Sequence, residues 1–181
     1  MAARGGGGPT FRSLTHAACD ALLARNHVGR LAFALHDGVN IQPIHYVYEA
    51  GWIYGRTSEG AKLTALAHRH WVAFEVDEVR GVFDWQSVVA RGTFHRVDPE
   101  GSRRDQGAGA HAIHLLQRIV PETFMPDDPV PSRRVLFRIS LGEVSGRAAI
   151  PATVEPSGSI GARREWRDTP GPAAPPDRSG W

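Results

Sequence analysis

The stretch Ile53 to Leu66, reading IYGRTSEGAKLTAL, gathers Arg56, Thr57, Ser58 and Lys62 within one short segment. Two cations and two hydroxyls stand around Gly60, just ahead of a helical pattern. Phosphate recognition uses this kind of set: backbone N–H groups free at a helix start, hydroxyl donors, and fixed positive charge that a dianion can reach. Gly60 permits a close approach of the backbone. The same residues have a plainer reading, in which Lys62 is a solvated helix residue and Thr57 and Ser58 form a helix cap. Taken alone, the segment supports the two readings equally.

Other polar residues suggest chemistry with less support. His45, in the run Gln42 to Tyr46 (QPIHY), is a titratable imidazole that can donate a proton or bind a carboxylate, or simply be a strand histidine. Asp77 and Glu78 read as a solvated turn. His68 with His70, and His111 with His114, have two-ligand spacing but no third ligand in a metal-binding pattern, so no metal is assigned. The single cysteine, Cys19, allows no intrachain disulfide and reads as a small buried residue. The glycine run Gly5 to Gly8 lacks the following Lys-Ser or Lys-Thr of a phosphate loop, and no GxSxG elbow supports a hydrolase.

These residues need elements to position them. Leu14, Ala18, Ala21 and Leu22 recur at helical spacing after a possible Thr15 cap, and Asn26 and His27 end that helix. Strands are expected over Val28–Leu35, Val39–Tyr48 and Trp52–Thr57, joined by turns at His36-Asp37-Gly38 and Glu49-Ala50-Gly51. A short helix over Lys62–His68 leads into strands at Trp71–Asp77 and Ser87–Val97. Pro99 to Gly109 reads as a polar loop, Ala112, Leu115, Leu116 and Ile119 as a helix, and Val135 to Leu141 as a last strand. Six short strands with a few short helices and no strand-helix alternation argue for a mainly β antiparallel barrel.

Composition bounds the rest. Of the 181 residues, 41% are hydrophobic and 22% charged, the make-up of one globular domain. Net charge is only +2, which disfavours a nucleic-acid partner. No run approaches the roughly 18 to 20 apolar residues of a membrane span, so the reading is a cytoplasmic protein without a membrane partner. Both ends are rich in Gly and Pro and poor in aliphatics. A disordered leader over 1–10, one domain over 11–150 and a disordered tail over 151–181 are therefore expected.

The order VGRLAF, PIHYVYE, IYGRTSEGAKL, VAFEVDE and WQSVVARGTF, between Val28 and Phe94, resembles the pyridoxamine 5'-phosphate oxidase-like, FMN-binding split-barrel family, in particular its nitroimidazole-reductase-like branch. The likeness runs from Leu14 to about Arg147. It implies a six-stranded Greek-key split barrel that forms a homodimer, with FMN in two clefts at the interface. It also implies that Arg56, Thr57, Ser58 and Lys62 lie on the phosphate. Ser87 and Val88 fall where the family's barrel strand meets the cofactor, with Trp85 either beside them or in the core. Gln42, Pro43, Ile44 and His45 fall on the strand whose backbone lines the isoalloxazine edge. One departure is Ala61, where many relatives carry Arg or Thr, which would remove a phosphate contact.

By this resemblance the protein is an FMN-dependent oxidoreductase of a small-molecule substrate, a nicotinamide nucleotide supplying electrons and His45 serving as the catalytic group. The alternative is a non-catalytic module of the same fold that binds or stores flavin, deazaflavin or haem. Oxidation of pyridoxamine 5'-phosphate itself is not expected. The family's true oxidases close with a C-terminal segment that Trp166 to Pro170 matches only loosely. The faces carrying Trp52, Trp71 and Trp85 are expected to help build the dimer.

Overall fold

Apolar residues at every second position drive most of the chain into extended structure, because only a pleated strand puts such residues on one face. The structure, a computed structural model, describes residues 8–152. Its strands are β1 (Thr10–Ser13), β2 (Val28–Leu35), β3 (Gly38–Glu49), β4 (Trp52–Thr57), β5 (Trp71–Gly81), β6 (Asp84–Val97) and β7 (Val135–Ile150). Three helices interrupt them: α1 (His16–Arg25), α2 (Ala61–His68) and α3 (Arg103–Gln117). The strand order is β1-β7-β4-β3-β2-β5-β6, and β6 pairs again with β7. Six strands thus close a barrel, β7-β4-β3-β2-β5-β6. The extra strand β1 lies on the far half of β7, pairing Thr10 with Ile150 and Ser13 with Arg147. All pairings are antiparallel.

The expected barrel is present, with a seventh strand outside its closed ring. Thr10 in β1 belongs to the stretch read above as a leader; the remaining expectations for residues 1–7 and 153–181 lie outside the described residues. The last strand reaches Ile150 rather than Leu141. Gly142 and Gly146 interrupt its apolar alternation, yet pairing with β6 on one edge and with β4 and then β1 on the other holds it extended. Helix α3 starts at Arg103, inside the segment expected to be a loop. Ser102 caps it by accepting from the Asp105 amide at 3.3 Å, and Asp105 sits in its first turn. That cap outweighs the glycines at 107 and 109.

Helix α1 begins at the expected cap, where Thr15 Oγ accepts from the Ala18 amide at 3.2 Å. The buried face of the helix is Cys19, Leu22 and Leu23, not the alanines. These residues pack into the barrel core with Tyr46, Phe74 and Val76, and full burial of each leucine stabilises by about 1.5 to 3 kcal/mol. The Tyr46 hydroxyl donates to the Leu23 carbonyl at 2.8 Å, and burial raises its pKa. The helix can lie this close to β7 because residue 146 is glycine: a Cβ there would stand 2.7 Å from Cys19 Sγ. Leu63 and Leu66 of α2 enter the same core. A second cluster on the outside of the barrel joins Ala112, Leu115 and Leu116 of α3 to Val47, Tyr54 and Leu136.

Candidate functional site

The turn from β4 into α2 is where polar side chains converge. Thr57 ends β4, and Gly60 is the N-cap of α2 at φ 147°, a conformation that glycine adopts without Cβ strain. No side chain caps the helix. The plainer reading of Thr57 and Ser58 as a helix cap therefore fails, and the amides of Ala61 and Lys62 precede the first intrahelical bonds, which run from Leu63 and Thr64 to the Gly60 carbonyl. These residues line a cavity of about 380 Å³ with Phe33, Leu35, Gln42, Pro43, Ile44, Glu59 and Ala61.

Lys62 and Arg133 supply its positive charge. Burial, and then the neighbouring charge of Arg133, lower the Lys62 pKa. A pair of cations held close in a half-buried wall is costly, and an anion between them removes that cost. The one carboxylate in the wall, Glu59, accepts from Arg96 at 2.6 Å on the other side. Arg133 is the residue that the sequence reading missed. It lies 71 positions beyond Lys62 (133 − 62), in the connection after α3, and no local spacing ties the two together.

Arg56 also lines the cavity, but its guanidinium is engaged elsewhere. It is buried and bonded to both carboxylate oxygens of Asp128, one at 2.8 Å, and lies 5.4 Å over the Phe124 ring. Asp128 also accepts from the amides of Phe124 and Val130, each at 2.9 Å. The Arg56 bond, against the opposing effect of burial, holds the Asp128 carboxyl well below the usual carboxylate range. Arg56 thus fastens the 124–130 segment to β4, and Arg133 follows three residues later.

The remaining site residues from the sequence fall elsewhere in the chain. Gln42 and Ile44 share the inward face of β3, and Pro43 lines the same cavity from its edge. His45 is exposed, one residue out of phase with Ile44 and Tyr46, and does not line the cavity. Val88 is wholly buried in the barrel core. Ser87, on the opposite face of β6, donates to Glu75 at 3.1 Å. Trp85 lines a second cavity of about 380 Å³ with Phe11, Arg12 and Arg147, its ring 6.4 Å from Phe11. Of the tryptophans assigned to an interface, Trp71 is 76% exposed, while Trp52 and Trp85 are half-buried.

A larger cavity, about 750 Å³, opens on the other flank of α2 between Leu66, Ala67 and His70 and the β6 residues Thr93 to Arg96. It holds none of the convergent hydroxyls. Of the histidines noted in the sequence, His111 bonds Glu49 at 2.6 Å, and His68 lies 2.9 Å from the Thr64 carbonyl. Among the described residues no three His, Cys, Asp or Glu side chains group as metal ligands, and no helix is long and apolar enough to cross a membrane.

Residues 15–148 match the model of a protein family described as pyridoxamine 5'-phosphate oxidase. An uncharacterized protein of Rhizobium meliloti is 26% identical over 147 residues, covering 76% of this chain and 95% of its own. A FAD-binding protein of Mesorhizobium loti, solved at 1.95 Å, superposes with a TM-score of 0.62 at 28% identity, covering 76% of this chain and 96% of its own. A conserved protein of unknown function from Corynebacterium diphtheriae gives a TM-score of 0.58 at 28% identity, covering 77% and 98%.

Proposed function

The chain belongs to the pyridoxamine 5'-phosphate oxidase family, and on that premise we propose that it is a flavoprotein that holds FMN by its phosphate in the cavity at the start of α2. One observation carries the reading: Lys62 and Arg133, from distant parts of the chain, share that cavity with Thr57, Ser58 and the free amides of an uncapped helix. The residues present suit a phosphate dianion. Lys62 and Arg133 would neutralise it, Thr57 and Ser58 would donate hydroxyl hydrogens, and Gly60 leaves room for the backbone to approach. Arg56 would act one step back, by holding through Asp128 the segment that delivers Arg133. Ala61 adds no contact there.

When bound, the flavin would supply hydride and electron transfer, and the protein binding and orientation. The inward faces of Gln42 and Ile44 border the cavity and would flank the cofactor beyond its phosphate. Trp85 and Ser87 lie outside this cavity in one subunit, which fits a homodimer in which they reach the flavin of the partner. The exposed Trp71, Val79, Val82 and Phe83 are consistent with such packing. The activity we infer is reduction or oxidation of a small organic substrate in the cytoplasm, with a nicotinamide nucleotide as electron donor. His45 remains the proposed proton donor, exposed on β3 beside the cavity-lining Ile44.

The test is the visible spectrum of the purified protein, with chromatography of the released cofactor, followed by anaerobic addition of NADH or NADPH. FMN released in about one copy per chain, and bleached by a nucleotide, is expected. Released FAD would move the phosphate assignment to a dinucleotide. A flavin that neither nucleotide bleaches would favour a storage module.

A further inference from the structure

One flank of α2 leads away from the phosphate cavity as a groove of about 440 Å³. Ala61, Thr64, Ala65 and His68 line it at i, i+3, i+4 and i+7, the spacing that puts residues on one helix face. The end of β2 and the turn after it form the opposite wall through Ala34, Leu35 and His36. Three of these side chains are single methyl groups, so little side-chain bulk fills the space between helix and hairpin. Leu35 and Ala61 line this groove and the phosphate cavity alike. The two spaces therefore adjoin at the first turn of α2, where Ala61 is exposed and offers only a methyl group.

The two ends of the groove differ in chemistry. At its start the amides of Ala61 and Lys62 precede the first intrahelical bonds, and the helix dipole favours negative charge. At its far end, about 12 Å along the helix, α2 finishes in carbonyls, where the dipole disfavours an anion. Arg69, the C-cap, and His68 stand there. The His68 Nδ1 lies 2.9 Å from the Thr64 carbonyl, which only accepts, so this nitrogen carries the hydrogen and Nε2 of the neutral ring is an acceptor. Arg69 and the imidazole of His36 add flat surfaces on which an aromatic ring stacks. No carboxylate lines the groove. An end that favours phosphate and an end that suits a neutral aromatic base match a nucleotide laid along the helix with its phosphate first.

We propose that this groove receives the adenylate half of FAD, so that the site takes the dinucleotide as well as FMN. The inference rests on the flavin reading above, with the flavin phosphate at the start of α2. The second phosphate of FAD is bonded to the first and would stay beside Lys62 and the α2 amides, while the adenosine continues along the helix flank. Adenine would stack against Arg69 and His36, and its exocyclic amino group would donate to His68 Nε2. The alanines at 34, 61 and 65 are then the residues that decide between the two flavins, because a bulky side chain at any of them would occupy the path of the adenosine without reaching the first phosphate.

Full-length protein freed of bound flavin is titrated with FMN and with FAD, with flavin fluorescence and calorimetry as readouts. FAD is expected to bind within about tenfold of FMN. Arg69→Ala should weaken FAD about fivefold or more, and Ala65→Phe, which fills the groove, about tenfold or more, while both variants hold FMN at full affinity. FAD weaker than FMN by more than about tenfold in the unaltered protein would overturn the proposal, as would FAD affinity unmoved in both variants. Equal losses of FMN and FAD in the folded variants would also overturn it, because the groove would then not be a place of its own. Failure of the unaltered protein to bind either flavin would instead remove the flavin reading, and this inference with it. Should Ala65→Phe fail to fold, Arg69→Ala and His68→Ala, both at exposed positions, carry the test.

Discussion

The family resemblance puts both the start of α2 and the start of β6 on the cofactor, and the two behave differently in three dimensions. At α2, Thr57, Ser58 and Lys62 face one cavity together. In β6, Trp85, Ser87 and Val88 separate into a second cavity, a bond to Glu75 and the barrel core. A tight turn into a helix gathers neighbours in sequence into neighbours in space. A strand sends adjacent residues to opposite faces, so Ser87 and Val88 cannot both present side chains to one ligand. Positive charge sharpens the contrast: Lys62 has Arg133 beside it, while Ser87 lies among Glu75, Arg30 and Asp77, already paired with one another.

The largest expected effect belongs to the α2 region. Lys62→Ala and Arg133→Ala should each weaken FMN by about 1.5 to 3 kcal/mol, the value of a charge-assisted bond, and leave riboflavin almost unchanged. The double variant should lose less than the sum, because removing one cation relieves the burden on the other. Equal weakening of FMN and riboflavin by equilibrium titration would remove the phosphate from this cavity and reduce the two regions to one kind of site.

Next comes Val88→Ala. Two methyl groups leave a fully buried position, which should cost about 1 to 3 kcal/mol in denaturant unfolding, with FMN and riboflavin affected alike. A phosphate-selective loss here would contradict the assignment of the side chain to the core. Ser87→Ala is smaller, about 0.5 to 1.5 kcal/mol of stability for one hydrogen bond to Glu75. If the partner subunit places Ser87 on the isoalloxazine, the same variant weakens FMN and riboflavin equally, a pattern opposite to that of Lys62→Ala.

The difference between the regions also marks how far the sequence could be read. Strand β2 and strand β4 appear with their expected bounds, because period-two alternation ends there in clear turn residues. The last strand was under-read by nine residues (150 − 141), since Gly142 and Gly146 erase the alternation while pairing on two edges keeps the strand extended. Lys62 was legible from local spacing. Arg133 was not, because its place depends on Arg56 and Asp128 folding the 124–130 segment back onto β4, a contact between residues 72 positions apart. Arg56 was placed on the phosphate by its position in the motif, whereas its guanidinium closes on Asp128. That pair takes one N–H from each terminal nitrogen and fixes the guanidinium toward the 124–130 segment.

The smallest predicted effect concerns the charge on Lys62 itself. In the folded protein without cofactor, burial and Arg133 lower its pKa below the ordinary 10.5 that the unfolded chain keeps. Between those two values the unfolded chain binds more protons than the folded one, so stability rises with pH through that window. Below the window Lys62 is charged in both states and the full penalty of its half-buried charge is present. Lys62→Met removes the titrating group and should flatten this part of the stability profile relative to the unaltered protein, other groups contributing equally to both. Arg133→Ala should shrink the same slope by removing the second cause of the shift and leaving only burial. Saturating inorganic phosphate should do likewise, because an anion between the two cations favours the charged amine. Chemical unfolding measured between pH 8 and about pH 10 is the readout. Identical slopes for the unaltered protein and Lys62→Met would mean that Lys62 is solvated after all, and the contrast between the α2 cavity and the carboxylates beside Ser87 would lose its electrostatic basis.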